Sequence, residues 1–286
     1  MSLSSHQLDA FLEVARLGNF SKAAKSLHVT QSALSQRVLN LENDLGTTLV
    51  IREPKGLRLS EVGETLLRYC LSREKLEGEV LDRLKAKDRS KLGGMIRIAG
   101  FSSVMRSVIL PCLSPLIRNN PEVQIGVVVR EMKELPGLLR SGEVDLVVLD
   151  SELKQAGIKS IEIGFEENVL VESKQKSERV TTILDHDSED PTSAQFFKLQ
   201  RASMKDLRRS FLDEIYGLVD GVILGWGRAV VPRHLVRGVE GVRIMASQKS
   251  LNVPVVLNYY EQAYYPQLFL EAVALIEKNA RKMLLN

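Results

Sequence analysis

The sequence predicts three parts: a small, mostly helical head ending in two short strands, one long helix, and a C-terminal α/β domain in two lobes. Three observations carry this reading. Residues 1–60 hold three short amphipathic segments separated by turn signals. Residues 61–91 read as one charged helix with a partial apolar stripe. Residues 92–286 alternate apolar strand-like runs with helical ones. At 286 residues the chain is long enough for two or three domains, each burying its own core.

In the head, HQLDAFLEVARLG sets Leu8, Phe11, Leu12 and Ala15 at helical spacing, and Gly18 stops that helix. Ser21 offers an N-cap for a second helix, SKAAKSLH, whose Ala23, Ala24 and Leu27 share one face. Small side chains there let another helix approach closely. Thr30 caps a third helix, with Ala33, Leu34, Val38, Leu41 and Leu45 inward and Gly46 at its end. Only His28 and Val29 separate the second and third helices, which is the tight joint of a helix-turn-helix. TLVIREPKGLRLS then reads as two strands around a turn at Pro54–Gly56. Residues 1–60 are therefore expected to form an α-rich winged helix-turn-helix.

The third helix turns Gln31, Ser32, Ser35, Gln36 and Asn40 away from its apolar face. Amides and hydroxyls both donate and accept, and at a helix N-terminus they suit base edges in a major groove. Arg37, Arg52, Lys55 and Arg58, with Lys22 and Lys25, can neutralise flanking phosphates. Taken alone, the polar face also fits a small domain that merely stays soluble. The short joint, the wing and the basic flanks together point to double-stranded DNA. The net charge of +3 is too small to identify a nucleic-acid binder, so the local patch carries the argument.

The stretch AAKSLHVTQSALSQRVLNLENDLGTTLVIREPKGLRLSEVGETLL resembles the winged helix-turn-helix of LysR-type transcriptional regulators almost position by position. The resemblance runs through Ala23–Ala24, Thr30–Gln31–Ser32–Ala33, Leu34–Ser35, Leu41–Glu42, Leu45–Gly46, Arg52 and Gly63. It implies that Gln31, Ser32, Ser35 and Gln36 occupy DNA-contacting positions. Family members often carry arginine where Gln36 stands. It also implies a periplasmic-binding-protein-like effector domain, a homodimer, and a tetramer of two dimers that bends DNA.

Ser60 can cap the long helix, 61–91, whose stripe comprises Val62, Leu66, Leu67, Cys70, Leu71, Val80, Leu81 and Leu84. The run RLKAKDRSKLGG marks its end and a hinge. An uncovered stripe suits self-pairing, and in the resembling family this linker helix pairs antiparallel in a dimer. Packing on its own effector domain is the other arrangement the stripe allows.

From residue 92, MIRIAGF reads as a strand, Ser103 to Asn119 as a helix, QIGVVVR as a strand, KELPGLLRSG as a helix and DLVVLD as a strand. Such apolar strands fit a parallel sheet covered on both faces. IEIGF and NVLVES follow without a long helix between them, which suggests that the chain crosses into a second lobe. RVTTILD, GVILGWG and VRIM are apolar or strand-like runs there. VPVVLNYY returns to the first lobe, and PQLFLEAVALIEKNARKML closes the chain as a helix. Lobe I is expected at 92–163 and 257–286, and lobe II at 164–256. GWGRAVVP matches the glycine-rich turn of the resembling family, a weaker likeness than that of the head.

Ligands of open α/β sheets bind beyond the carboxyl ends of strands, often against helix N-termini. Ser102 and Ser103, Arg130 and Glu131, and Asp150 and Ser151 follow the first three strands. LDHDSED supplies an acidic loop from the other lobe, and Trp226, the only tryptophan, can cover a ligand. An acidic loop facing an anion-binding helix end suits a zwitterion with a cationic side chain. RVTTILDHDSED is similar to the family branch that senses lysine or arginine. A solvated turn shaped by Pro191 also fits Asp185, Asp187, Glu189 and Asp190, and a serine after a strand is often only an N-cap. Phe101, Met105 and Trp226 are large enough to fill the cleft. The expected effector site, for an amino acid or carboxylate, is Ser102, Ser103, Arg130, Asp150, Asp187 and Trp226.

His6, His28, His186 and His234 show no H-x-x-H or H-E-x-x-H spacing, so no metal site is expected. There is no G-x-S-x-G and no P-loop, so neither catalytic residues nor a cofactor are expected. Cys70 and Cys112 lie far apart in apolar runs, which argues against a disulfide, a zinc knuckle or a redox sensor. No apolar run approaches ~18 residues, so a cytoplasmic protein without a membrane partner is expected. The function these features predict is a sequence-specific transcriptional regulator that senses a small molecule. The alternative is a ligand-independent, nucleoid-type DNA binder using its C-terminal domain only to assemble.

Overall fold

The computed structural model describes residues 3–53, 56–85, 92–175, 181–245 and 249–285. The first helix, α1 (Ser5–Leu17), buries Leu8, Ala10, Phe11, Leu12 and Val14 and stops at Gly18, whose φ of 59° suits a residue without a Cβ. Helix α2 (Phe20–Ser26) is capped by Asn19, not by Ser21 as the sequence suggests. Asn19 has an extended backbone, φ −156°, so its Oδ1 reaches the Lys22 N–H at 3.0 Å. Helix α3 (Gln31–Leu45) starts at Thr30, whose Oγ1 accepts the Ala33 N–H. Ala10, Val14, Ala23, Ala24, Leu34 and Val38 form the core between these helices. Ala33, expected inward, is exposed. In the joint, His28 takes a left-handed φ of 54°, a position helix-turn-helix proteins often fill with glycine.

Strands β1 (Val50–Glu53) and β2 (Gly56–Leu59) pair antiparallel, with Val50 opposite Leu59 and Glu53 opposite Gly56. They form the wing. Ser60 then accepts the Gly63 N–H and starts α4 (Glu61–Lys85). A Cβ on Gly63 would stand 2.3 Å from the Leu49 carbonyl oxygen, so α4 meets the wing by backbone contact. Gly63→Ala is expected to cost roughly 1–3 kcal/mol by overpacking, seen as a lower urea midpoint at unchanged slope.

The apolar stripe of α4 divides in two. Leu66, Leu67, Cys70 and Leu71 are buried with Leu8, Phe11 and Leu12, and Arg73 forms an ion pair with Asp9 of α1. Val62, Leu76, Val80, Leu81 and Leu84 are exposed. The hinge stretch 86–91 lies outside the described residues.

The C-terminal part runs β3 (Gly94–Gly100), α5 (Ser102–Val104), a π-helical turn (Met105–Ile109), α6 (Leu110–Asn119), β4 (Val123–Val129), α7 (Leu135–Arg140) and β5 (Leu146–Leu149). It continues through β6 (Ile158–Ser173), β7 (Thr182–Asp185), α8 (Thr192–Leu199), β8 (Arg208–Phe211), α9 (Ile215–Ile223), β9 (Arg228–Pro232) and α10 (Arg233–Val236). The last elements are β10 (Val242–Ile244), β11 (Leu251–Tyr260) and α11 (Gln267–Leu285). Among the described residues the strands form one sheet in the order β4-β3-β5-β11-β6-β9-β7-β8, with β10 also on β6. Strands β3, β4 and β5 pair in parallel, as their apolar runs predict. So do β7, β8 and β9.

Two sets of cores lie along this sheet. One, around Ile96, Ile98, Ile109, Leu146, Leu257 and Ile276, holds the first lobe. The other, around Val171, Leu184, Val222 and Val231, holds the second.

In the C-terminal part the structure refines the sequence reading at three points. IEIGF and NVLVES are one continuous 16-residue strand, β6, antiparallel to β11. GVILGWG, read as an apolar or strand-like run, supplies the end of α9, because a helix apolar nearly all round shows no period to distinguish it. The helix after β3 widens into a π turn at Met105–Ile109. Pro111 has no N–H for the carbonyl four residues earlier, and widening relieves its clash there.

Candidate functional site

Helix α3 presents two faces. Leu34, Val38 and Leu41 are buried, whereas Gln31, Ser32, Gln36 and Asn40 are exposed and Ser35 and Arg37 half-buried. The Ser21 hydroxyl donates to Gln31 Oε1 at 3.0 Å, tying the start of α3 to α2. Gln36 donates to Asn40 Oδ1 at 2.8 Å, one turn on. Both glutamines keep free groups to offer, since each amide has two donors and an acceptor. On the wing, the Arg52 guanidinium lies 5.0 Å from the Phe20 ring centroid, and Arg58 pairs with Glu53 at 3.0 Å. Lys22 and Lys25 are exposed on α2. Lys55 lies outside the described residues. Together these side chains make a neutral hydrogen-bonding row with cations on either side.

A second concentration of polar groups sits between the lobes. Ser103 of α5 is buried, and its hydroxyl donates to Glu166 Oε1 at 2.7 Å. Glu166 lies mid-way along β6 and is only 5% exposed. The same oxygen meets His234 Nε2 of α10 at 2.8 Å. His234 Nδ1 lies 2.8 Å from Ser107 Oγ, which also donates to the Ser103 carbonyl at 2.6 Å. The single Ser107 proton serves either that carbonyl or Nδ1. Ser103 and Ser107 lie one turn apart across the π turn, so both reach this point. The Tyr216 hydroxyl of α9 is buried beside Ser107, its ring beneath the Arg106 guanidinium at 4.0 Å. Burial pushes the Tyr216 pKa up.

Beside this cluster, Arg233 donates two hydrogen bonds to Glu167. Those bonds hold the Glu167 carboxyl below its ordinary range. The stability it contributes is present above the ordinary carboxylate pKa and is lost as pH falls through the lowered value.

The other sequence-predicted cleft residues are spread. Ser102 is half-buried at the start of α5. Arg130 is exposed, and its Nη1 donates to the Val129 carbonyl. Asp150 is exposed and accepts from the Ser151 hydroxyl. Asp187 Oδ1 accepts the N–H groups of Glu189 and Asp190, closing its own turn. Trp226 is 59% exposed. Of the predicted set only Ser103 enters the buried cluster. Glu166, His234, Ser107 and Tyr216 were not anticipated; the signal available was the charged pair in the apolar run GFEENVLVES, which a buried strand tolerates only with partners.

Cys70 and Cys112 are both buried, and burial pushes each thiol up to about 11. Neither is a thiolate at neutral pH. No helix among the described residues is long and apolar enough to cross a membrane.

Residues 5–64 match the bacterial regulatory helix-turn-helix protein, LysR family, and residues 89–281 match the LysR substrate-binding domain. HTH-type transcriptional regulator YofA of Bacillus subtilis is 25% identical over 257 residues, covering 83% of this chain and 84% of that one. The probable HTH-type transcriptional regulator LrrA of Synechococcus elongatus is 32% identical over 143 residues, a match spanning only 48% of its length. Among solved structures, ArgP of Mycobacterium tuberculosis superposes with a TM-score of 0.75 at 23% identity, covering 98% of each chain. Full-length LysG of Corynebacterium glutamicum with bound effector Arg gives 0.74 at 18% identity, covering 98% of this chain and 99% of that one. At these identities the likeness is one of fold. Both matched domains are those of a DNA-binding regulator with an effector-binding half, in a family of transcription factors and not of enzymes. The chain belongs to the LysR family of bacterial transcriptional regulators.

Proposed function

We propose that the chain regulates transcription by sequence-specific contact of α3 with double-stranded DNA, and that a basic amino acid acts on it from the cleft between the lobes. The observation that carries the first half is the division of α3. Its Leu34, Val38 and Leu41 hold the head together, which leaves Gln31, Ser32 and Gln36 exposed and unused by the core. Ser35, Arg37, Arg52 and Arg58 complete the surface, and these arginines, with Lys55 of the wing turn as a further proposed contact, answer phosphates. The exposed apolar residues of α4 support a homodimer through that helix. Two such dimers would assemble into a tetramer in the cytoplasm. The functional division is 1–60 for DNA, 61–91 for pairing and 92–286 for the effector. Lobe I comprises 92–163 and 257–286, and lobe II comprises 164–256.

For the effector, a buried carboxylate between the lobes is the supporting feature. Glu166 can answer a cationic group, and the Ser102, Ser103 and Tyr216 hydroxyls offer further hydrogen bonds. Arg130 and Asp150 at the strand ends suit the ligand's carboxylate and amino groups. Asp187, already holding its turn, and Trp226 contribute least. The shared fold with LysG, which binds Arg in its structure, favours this ligand class.

The test is thermal unfolding of the full chain against lysine, arginine and an aromatic acid. A ligand at ~100 times its Kd should add about 2.7 kcal/mol of stability. Stabilisation by lysine or arginine alone supports the reading. Stabilisation by the aromatic acid alone discards the basic ligand. No response across the panel leaves a ligand-independent DNA-binding protein.

A further inference from the structure

We propose that Glu131, His186 and Asp213 form a divalent-metal site, of the zinc class, that fastens the mouth of the cleft across the two lobes. Each residue stands just beyond the carboxyl end of a strand. Glu131 follows β4 in the first lobe; His186 follows β7 and Asp213 follows β8 in the second. His186 Nε2 lies 3.5 Å from Glu131 Oε1 and 3.4 Å from Asp213 Oδ1. One ligand atom from each residue lies within 4.8 Å of the other two.

Those separations are informative. They exceed the 2.7–3.2 Å of an N–H···O hydrogen bond. Four ligands at about 2.0–2.1 Å around a tetrahedral zinc stand about 3.3–3.4 Å apart, which is close to both His186 distances. One imidazole and two carboxylates fill three corners, and water completes the fourth. A nitrogen among the donors favours Zn²⁺, Co²⁺ or Ni²⁺ over Mg²⁺ or Ca²⁺, which prefer oxygen throughout.

Charge points the same way. Among the described residues of the second lobe, several carboxylates are answered by arginine: Glu167 by Arg233, Glu172 by Arg228 and Arg243, Asp185 by Arg209. Glu131 and Asp213 have no arginine or lysine partner among the described ion pairs. The nearby arginines are engaged: Arg209 holds Asp185 and the Asp187 and Ser188 carbonyls, and Arg130 turns to the Val129 carbonyl. Two carboxylates and a neutral imidazole carry a charge that a dication cancels. Such an ion ties a donor of the first lobe to two of the second, and so favours the closed cleft over an open one. This site shares no residue with the α3 face or the Glu166 cluster, so its failure would leave the DNA-binding reading standing.

The experiment is a titration of the full chain with Co²⁺, whose tetrahedral complexes absorb visibly, followed by displacement with Zn²⁺. One equivalent is expected to bind. His186→Ala should weaken binding by more than the ~10–100-fold that loss of an outer partner of a metal ligand costs. Hydrogen exchange with Zn²⁺ should slow the segments around 131, 186 and 213 together. Glu131→Gln should keep weak binding to the second lobe and lose the protection around 131. All three side chains lie at the surface or near it, so these variants should fold. Equal Co²⁺ affinity in the wild type and His186→Ala, or protection confined to one lobe, would overturn the site. So would a His186 imidazolium held by both carboxylates with no Co²⁺ band, which would make the trio an ion pair.

Discussion

Gln31→Ala and Gln36→Ala are each expected to lose roughly 1–3 kcal/mol of binding to a specific DNA site, while affinity for random DNA barely changes. The asymmetry follows from the role proposed for each side chain. Both glutamines are exposed on α3, so truncation leaves the head's core intact and the unfolding midpoint unmoved. Their amides can pair with a base edge in two directions at once, which is what separates one base pair from another. Arg52→Ala should behave differently, because the proposed role of this wing guanidinium is to neutralise phosphate. Its loss should weaken all sequences alike and reduce the salt slope by about 0.9. Gel shifts of the three variants on specific and random duplexes, at several salt concentrations, check this. A uniform loss from the glutamine variants, or a sequence-dependent one from Arg52→Ala, would reverse the assigned roles.

Glu166→Ala should be the most damaging single change between the lobes, at roughly 2–5 kcal/mol. It strands two buried partners at once, the Ser103 hydroxyl and His234 Nε2, where little water can replace the lost oxygen. Glu166→Gln keeps an acceptor for Ser103 and should cost less than half as much. Urea unfolding of both variants and of His234→Ala gives the comparison. A coupling energy near zero in the Glu166–His234 double-mutant cycle would show that the contact carries no stability.

The head was legible because its signals are local. Helix period, caps and the joint each lie within a few residues, and Thr30, Gly18 and Gly46 act where the sequence places them. The cap at Asn19 was missed because Ser21 competes for the same role two residues on, and only the extended backbone at Asn19 decides between them. The cleft was less legible because its buried cluster gathers residues 103, 107, 166, 216 and 234. No spacing rule joins such distant positions. His186 shows the same limit: its neighbours Glu131 and Asp213 come from two other strand ends, so a search for histidine motifs passes over it. The acidic loop was visible as charge, yet charge alone could not say that Asp187 closes its own turn.

Strand β6 belongs to both lobes. Ile158 to Asn168 pair along β11 with a bulge at Ile163, and Asn168 also faces Pro232 of β9, where the second lobe's ladder begins. Mechanically this makes β6 and β11 a torsion bar with a plate fixed at each end. Any rotation of one lobe against the other has to be taken up as twist over that span. The register shift between Val255 and Val256 already loosens the bar there. Glu166, whose carboxylate gathers groups from both plates, is set in the twisting segment itself. A ligand that pulled on that carboxylate would load the bar directly, with no intervening relay.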